Sequence, residues 1–529
     1  ESLLLLGAAM LLLLAGAWYW RNLSVLLVWA GLLFGAVYAT WHIDVLVPEP
    51  VGPFDAYMDL PKQLPPALQT FLAIGGAFAG LFAAAGFYNG LSARSHPLWI
   101  LVSAIMPVLI FAYAYIRATG FTQDLPFALA GLGLSLAYVT ASEVMFKQGD
   151  GPPWGWRSGI YAAAAVVALA LAMTIYLEDG WLTIALALIC PGLGWVASHR
   201  PVPGLRYLAG AIAAVVMARL AWNPLIAESV IGATPIFNWL LYGYGVPAIA
   251  FAAASAMFRR ETDDRVVQLL EAASILCVVV LTGLEIRHLL NEGDVHSPIF
   301  GLWEQSIHTI ALLGLAIGLQ RLYDRTGREV VEKAAMVLGM VGLAAILLGH
   351  LVVFNPLSTN ESIGTGRVFN LVFLGYLVPA ILCAVLYVFS QGRHPNYRSA
   401  IGGTVLLLFF AWLSLENRVL FQGEYLSQGE TGDAEWYTYS AIWLLYGAAL
   451  LAGGILTGLA ALRYASLAII LLTVAKVFLS DMENLTGFLR ALSFIGLGGV
   501  LIGVGYFYQR FVFPRGAPEQ MDTGEDTGG

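Results

Sequence analysis

The stretch IGATPIFNWLLYGYGVP at residues 231–247, preceded by Asn223-Pro224-Leu225, recurs at residues 363–379 as IGTGRVFNLVFLGYLVP, preceded by Asn355-Pro356-Leu357. Phe237-Asn238 falls on Phe369-Asn370, Tyr244 on Tyr376 and Pro247 on Pro379. A weaker third copy is RALSFIGLG from Arg490, set against RVFNLVFLG from Arg367. A second block also recurs: LEIRHLL from Leu284 matches LENRVLF from Leu415, with Glu285 over Glu416 and Arg287 over Arg418. IYLEDGW around Glu178 reads as the same helix end with its loop shortened. Self-similarity at a long, fixed period marks a chain built from one supersecondary unit used repeatedly.

The unit is helical and sits in a membrane. Of 529 residues, 59% are hydrophobic and only 11% charged, where a soluble domain carries roughly 25% charged residues. Apolar runs of about 20 residues recur from end to end, each long enough to cross ~30 Å of hydrocarbon. They are too long for barrel strands, and backbone groups in lipid must be paired within the segment, so the expected class is all-α. The net charge of −8 is uninformative here, and the few scattered basic residues exclude a nucleic-acid partner. Cys190, Cys277 and Cys383 all fall inside apolar runs without paired spacing, so they read as small buried residues.

Working outward from the repeats gives units of four helices. In the last three copies the first helices are expected at about 157–178, 266–287 and 398–418, and the second at about 181–198, 301–322 and 436–458. The third fall at about 203–221, 330–353 and 462–479, and the fourth at about 234–258, 367–389 and 488–511. A diverged copy precedes them at about 23–40, 69–89, 97–117 and 126–147, and a leftover helix opens the chain at about 2–20. The sum is about seventeen spans in tandem parallel repeats. The domains are a leftover helix (1–22), a diverged unit (23–150), units 151–262, 263–395 and 396–513, and a disordered tail (514–529). The chain starts at Glu1 directly on an apolar run, with no basic n-region or cleavage site, which fits a piece cut from a longer protein.

Basic residues occupy alternate loops: Arg94, Lys147, Arg200, Arg259, Arg260, Arg325, Arg328, Arg393 and Arg463 share one side with the tail. The other side carries 41–68, 288–300 and 419–435, acidic and nearly free of lysine. The positive-inside rule then places the basic loops and the C-terminus in the cytoplasm of a bacterial inner membrane, and the acidic loops outside.

Few basic residues lie at the outer ends of spans: Arg117, Arg219, Arg287, Arg367, Arg418, Lys476 and Arg490. Ionisable groups there need partners; Glu178, Glu285, Glu416, Asp481 and Glu483 are the expected ones. Arginine can grip a phosphate or carboxylate head group through two parallel bonds, or it can snorkel or pin neighbouring helices. Glu285 and Arg287 are two apart and face different sides, so each pairs with a different helix. His308 and His350 lie within spans and read as hydrogen-bonded interior residues. Asn238 and Asn370 suit interhelical hydrogen bonds, and the Asn-Pro turns suit helix termination. No zinc spacing, phosphate loop or nucleophile elbow is present, so no metal and no cofactor are expected.

The segments WLLYGYGVPA at Trp239, LEIRHLL at Leu284, YSAIWLLYGAALL at Tyr439 and the closing run from Leu471 to Phe511 resemble a bacterial family of large predicted membrane proteins, domain of unknown function twenty-three thirty-nine. The resemblance is close over 160–513 and general before that. It implies this polytopic architecture, within longer proteins that begin with a coiled coil, and carries no activity or catalytic residues across.

The function expected from the residues is binding or passing an anionic amphipathic ligand at the outer face, a lipid or lipid-linked envelope precursor. The site residues are Arg287, Arg418, Glu285, Glu416, Arg367, Arg490, Arg219 and Lys476. Membrane lipids and envelope-assembly proteins are the partners to expect. The alternatives are an envelope-assembly transferase, for which Glu285, Glu416 and His308 would be the groups, and a non-catalytic scaffold.

Overall fold

The computed structural model describes residues 25–41, 66–91, 97–148, 155–177, 179–199, 204–222, 231–232 and 234–478, with isolated positions near either end. All regular structure among them is helical. The chain divides into two compact units, Glu1–Gly293 and Asp294–Gly529.

The first unit holds α1 (Val25–Thr40), α2 (Pro66–Gly90), α3 (Pro97–Thr119), α4 (Leu125–Lys147), α5 (Trp156–Tyr176), α6 (Asp179–His199) and α7 (Gly204–Trp222). It closes with α8, a π-helical turn Leu241–Gly245 running into Val246–Arg259, and with α9 (Arg265–Leu290). The second unit holds α10 (Leu302–Thr326) and α11, which is α-helical over Glu329–Ala344 and π-helical over Ala345–Val353. It continues with α12 (a π turn Phe373–Leu377, then Val378–Phe389), α13 (Pro395–Gln422), α14 (Asp433–Thr457) and α15 (Ala460–Lys476). Among the described residues twelve helices are long and apolar enough to cross a membrane, and Val25–Thr40 and Phe373–Phe389 are shorter apolar ones. The expected helices at 2–20 and 488–511 lie outside the described residues.

Local chemistry marks the helix ends. The Asp264 carboxylate accepts from the backbone N–H of Val266 and Val267 at 3.1 and 3.2 Å, and Asp124 from Phe127 at 2.8 Å, satisfying donors that a first helical turn leaves open. α10 and α14 stop at Gly327 and Gly458 in the left-handed conformation. Asn355 ends α11 as the Asn-Pro sequence implies: its side chain donates to the Leu351 carbonyl and accepts from Leu357 N–H, both at 3.0 Å. Asn223 lies outside the described residues.

Side chains on the helix surfaces invert the soluble pattern. Leu129, Leu132, Leu136 and Val139 form an exposed stripe along α4, spaced three and four apart, while Gly131, Ser135 and Tyr138 face inward. Small residues permit close approach, since lipid-filled surroundings provide no hydrophobic drive between helices. At Gly86 of α2, an added Cβ would stand 2.3 Å from the Trp99 carbonyl oxygen and 2.4 Å from the Ser103 Cβ on α3. Gly86→Val is therefore expected to separate α2 from α3 and destabilise the first unit by about 1–3 kcal/mol or more. A lowered unfolding temperature in detergent checks this; unchanged melting would mean that α3 shifts freely.

In each unit a long helix with the LExR sequence packs on the helix before it: α9 on α8 and α7, and α13 on α12 and α11. Because consecutive spans alternate direction, the C-terminal ends of α9 and α13 lie beside the N-terminal ends of α8 and α12. That geometry builds the site.

Candidate functional site

The fourth helices of the repeat start later than the sequence suggests. Residues 234–238 and 367–370 are bends, and regular helix begins only at Trp239 and Leu371. The reason is a local competition for backbone donors. The Asn238 side-chain oxygen accepts from Leu240 N–H and that of Asn370 from Phe373 N–H, each at 2.8 Å, as N-caps do. The preceding loops close alike, with Trp239 N–H on the Ile231 carbonyl at 3.0 Å and Leu371 N–H on the Ile363 carbonyl at 2.9 Å. Gly232 and Gly364 take positive φ, +94° and +86°, at the same point of both loops.

The recurring asparagines and glutamates meet. Asn238 donates through Nδ2 to Glu285 Oε2 at 3.0 Å, and the Ile236 backbone N–H reaches the same oxygen at 3.3 Å. Asn370 Nδ2 lies 3.4 and 3.5 Å from the two oxygens of Glu416, whose Oε1 also accepts from Trp412 Nε1 at 3.2 Å. Each carboxylate thus clamps its loop to the end of the following long helix.

Arg418 faces elsewhere, as its two-residue offset from Glu416 requires. Its guanidinium donates to the Leu426 and Gly429 carbonyls, to Thr431 and, at 3.0 Å, to Glu435 Oε1. Glu435 is 1% exposed and also accepts from Gln422 at 2.7 Å and Tyr439 at 3.3 Å. The partner of Arg418 is therefore Glu435 in the first turn of α14. It is not Glu416, which faces back onto α12. Sequence reading missed Glu435. The signal was present, because Glu304 holds the same third position of α10 that Glu435 holds in α14.

The remaining candidates differ in availability. Arg287 and Arg219 are half-buried in the last turns of α9 and α7. Lys476 ends α15, donating to the Trp436 carbonyl and Ser440 Oγ at 2.8 Å each, with its ammonium 4.5 Å above the Trp436 ring. Arg367 is exposed on the 363–370 loop, beside Val368 (55% exposed) and Phe369 (80%). Arg490, Glu178, Asp481 and Glu483 lie outside the described residues.

The two histidines have separate partners. His350 is fully buried in the π-helical end of α11, with Nε2 2.9 Å from Thr309 Oγ1, and its carbonyl accepts from the Tyr376 hydroxyl at 2.6 Å. His308 lies 3.5 Å from Glu304 Oε1 and stacks on Phe300. Glu361, which the sequence did not single out, accepts from Leu302 N–H at 2.8 Å and Trp303 N–H at 3.4 Å, capping α10. An apolar cavity of about 730 Å3 lies between α1 and α3, lined by none of the nominated residues that are described.

Taken chemically, the described part of the second unit offers charged side chains held in place by hydrogen bonds, and an exposed arginine, Arg367, beside apolar side chains. A family model described as predicted membrane protein (DUF2339) matches residues 2–511. No curated relative and no solved structure matches the chain.

Proposed function

The chain belongs to the DUF2339 family of predicted membrane proteins, multi-pass and helical, and from that premise we propose a non-enzymatic role: binding an anionic amphipathic ligand at the acidic-loop face. We place this chain in a bacterial inner membrane with that face outward and the C-terminus in the cytoplasm. About seventeen helices in tandem parallel four-helix repeats are the full architecture we propose, supported by the matched loops at 231–239 and 363–371.

The observation that carries the ligand reading is Arg367. It is exposed, none of its nitrogens forms an ion pair or hydrogen bond among the described residues, and Val368 and Phe369 project beside it. A guanidinium suits a phosphate or carboxylate, and adjacent apolar side chains suit an acyl or isoprenoid chain. Of the other nominated residues, Glu416 clamps the loop that carries it and Arg418 ties the end of α13 to α14, while Glu285 clamps the matching loop of the first unit. Ligands of this kind would be membrane lipids or lipid-linked envelope precursors, and envelope-assembly proteins would be the partners that supply or accept them.

The test compares lipids that co-purify with the wild-type chain and with Arg367→Ala in nanodiscs, by mass spectrometry. Loss of one anionic lipid class with unfolding temperature unchanged supports the reading. An identical lipid profile sinks it and leaves a scaffold, the second reading, which the Arg418–Glu435 ion pair favours because that arginine is consumed in joining α13 to α14.

A further inference from the structure

The cavity between α1 and α3 is a groove with walls of hydrocarbon. Of its lining side chains only Tyr38 and Tyr113 carry a hydroxyl, and both are engaged, on the Phe71 carbonyl at 3.2 Å and the Ala39 carbonyl at 2.8 Å. The α3 wall runs from Leu98 to Tyr113, about 22 Å of helix, which exceeds the ~15 Å that one leaflet contributes to the hydrocarbon core. A volume of about 730 Å3 over that length leaves a cross-section of about 33 Å2. A helix, about 10–12 Å across with its side chains, is too wide to enter; an extended alkyl chain is not. No α2 residue lines the groove, and Leu32, Ile105 and Leu109 on its walls are 59%, 49% and 56% exposed, so it opens sideways to the bilayer.

A cation stands at the head of this groove. Arg117 follows Tyr113 by four residues on α3, which sets it on the same face one turn nearer the helix end. Its Nη2 donates to the Trp41 carbonyl at 3.3 Å, just past the end of α1, so the guanidinium bridges the same two helices that wall the groove. Its Nε is buried without a partner, and among the described residues no carboxylate pairs with it. Charge at a span end needs a counter-charge, and where the packed helices supply none, the headgroup layer does.

We infer that the groove seats one acyl chain of an anionic phospholipid, with the phosphate at Arg117. The chemistry divides along its length. The walls take an aliphatic chain and offer it no polar group, while the guanidinium at the head takes phosphate oxygens through parallel N–H donors. Gly35 keeps the floor open: a Cβ added there meets nothing within 4 Å, whereas one at Gly31, a turn earlier, stands 3.1 Å from the Met106 sulfur. The site lies within the first unit and does not depend on the Arg367 reading.

The experiment uses the full chain in nanodiscs containing phosphatidylglycerol with a photoreactive diazirine on one acyl chain, or zwitterionic phosphatidylcholine with the same chains. Peptide mapping is expected to place the label on the α1 and α3 walls, at least threefold more from phosphatidylglycerol. Gly35→Leu and Ile105→Trp fill the groove from opposite walls, and each should cut that labelling at least fivefold without lowering the unfolding temperature. Arg117→Gln should abolish the preference for phosphatidylglycerol, and Arg367→Ala should leave wall labelling unchanged. Walls unlabelled in the wild type, as beneath an overlying helix, overturn the proposal. Equal labelling by the two lipids, or labelling unchanged in both filling variants, does the same.

Discussion

Arg418→Ala is expected to destabilise the second unit by about 3–5 kcal/mol, the usual result of stripping one partner from a buried ion pair. The size follows from Glu435, which is 1% exposed. Without the guanidinium its charge would be held, among the described residues, only by Gln422 and the Tyr439 hydroxyl. The same substitution frees the 423–432 loop, which Arg418 ties through the Leu426 and Gly429 carbonyls and Thr431. Denaturant unfolding in mixed micelles measures the first effect, and limited proteolysis of that loop the second. Arg418→Met with Glu435→Gln should recover most of the loss, because no charge is then left buried. A change in Arg418→Ala below about 1 kcal/mol, the range of a solvated pair, would mean that water reaches Glu435 and that the pin is weak.

The second large effect belongs to the asparagine clamps, and the two copies should differ. Asn238→Leu removes the amide bond to Glu285 at 3.0 Å and the acceptor for Leu240 N–H at 2.8 Å. A hydrogen bond to a charged group is worth about 1.5–3 kcal/mol and a lost N-cap about 1 kcal/mol, so about 3 kcal/mol is expected. Asn370→Leu should do less, because its amide stands 3.4 and 3.5 Å from Glu416 and the Trp412 indole remains as a donor. Replacing both members, Asn370→Leu with Glu416→Leu, should come closer to wild type than Asn370→Leu alone. Equal losses at the two sites, read by the same unfolding assay, would refute a clamp based on these bonds.

Helix positions were legible because the membrane leaves the backbone little choice. A run of twenty apolar residues in hydrocarbon must bond its own carbonyls and amides, so α2 to α7 and α9 to α11 lie within a few residues of the bounds read from composition. The exceptions are the starts of α8 and α12. There Asn238 and Asn370 read as helix interior by hydropathy, whereas their side-chain oxygens cap the helices and their amide nitrogens are held by a glutamate from the next helix. The periodicity of side chains on one helix carries no record of that second helix.

The site residues follow the same division. Spacing along the chain is enough to require that Glu285 and Arg287, or Glu416 and Arg418, face different neighbours, since two residues turn a helix through about 200°. Hydropathy likewise requires that charges at span ends find partners. Which partners they find depends on how the helices pack. Glu435 meets Arg418 because α14 begins beside the end of α13, a contact between chain segments that no local pattern encodes. Likewise, Arg117 reads in the sequence as one more charge at a span end, and only the packing of α1 beside α3 sets it at the head of a groove. Propensity and hydropathy act along one helix, whereas satisfaction of a buried polar atom depends on whatever lies across the packing interface.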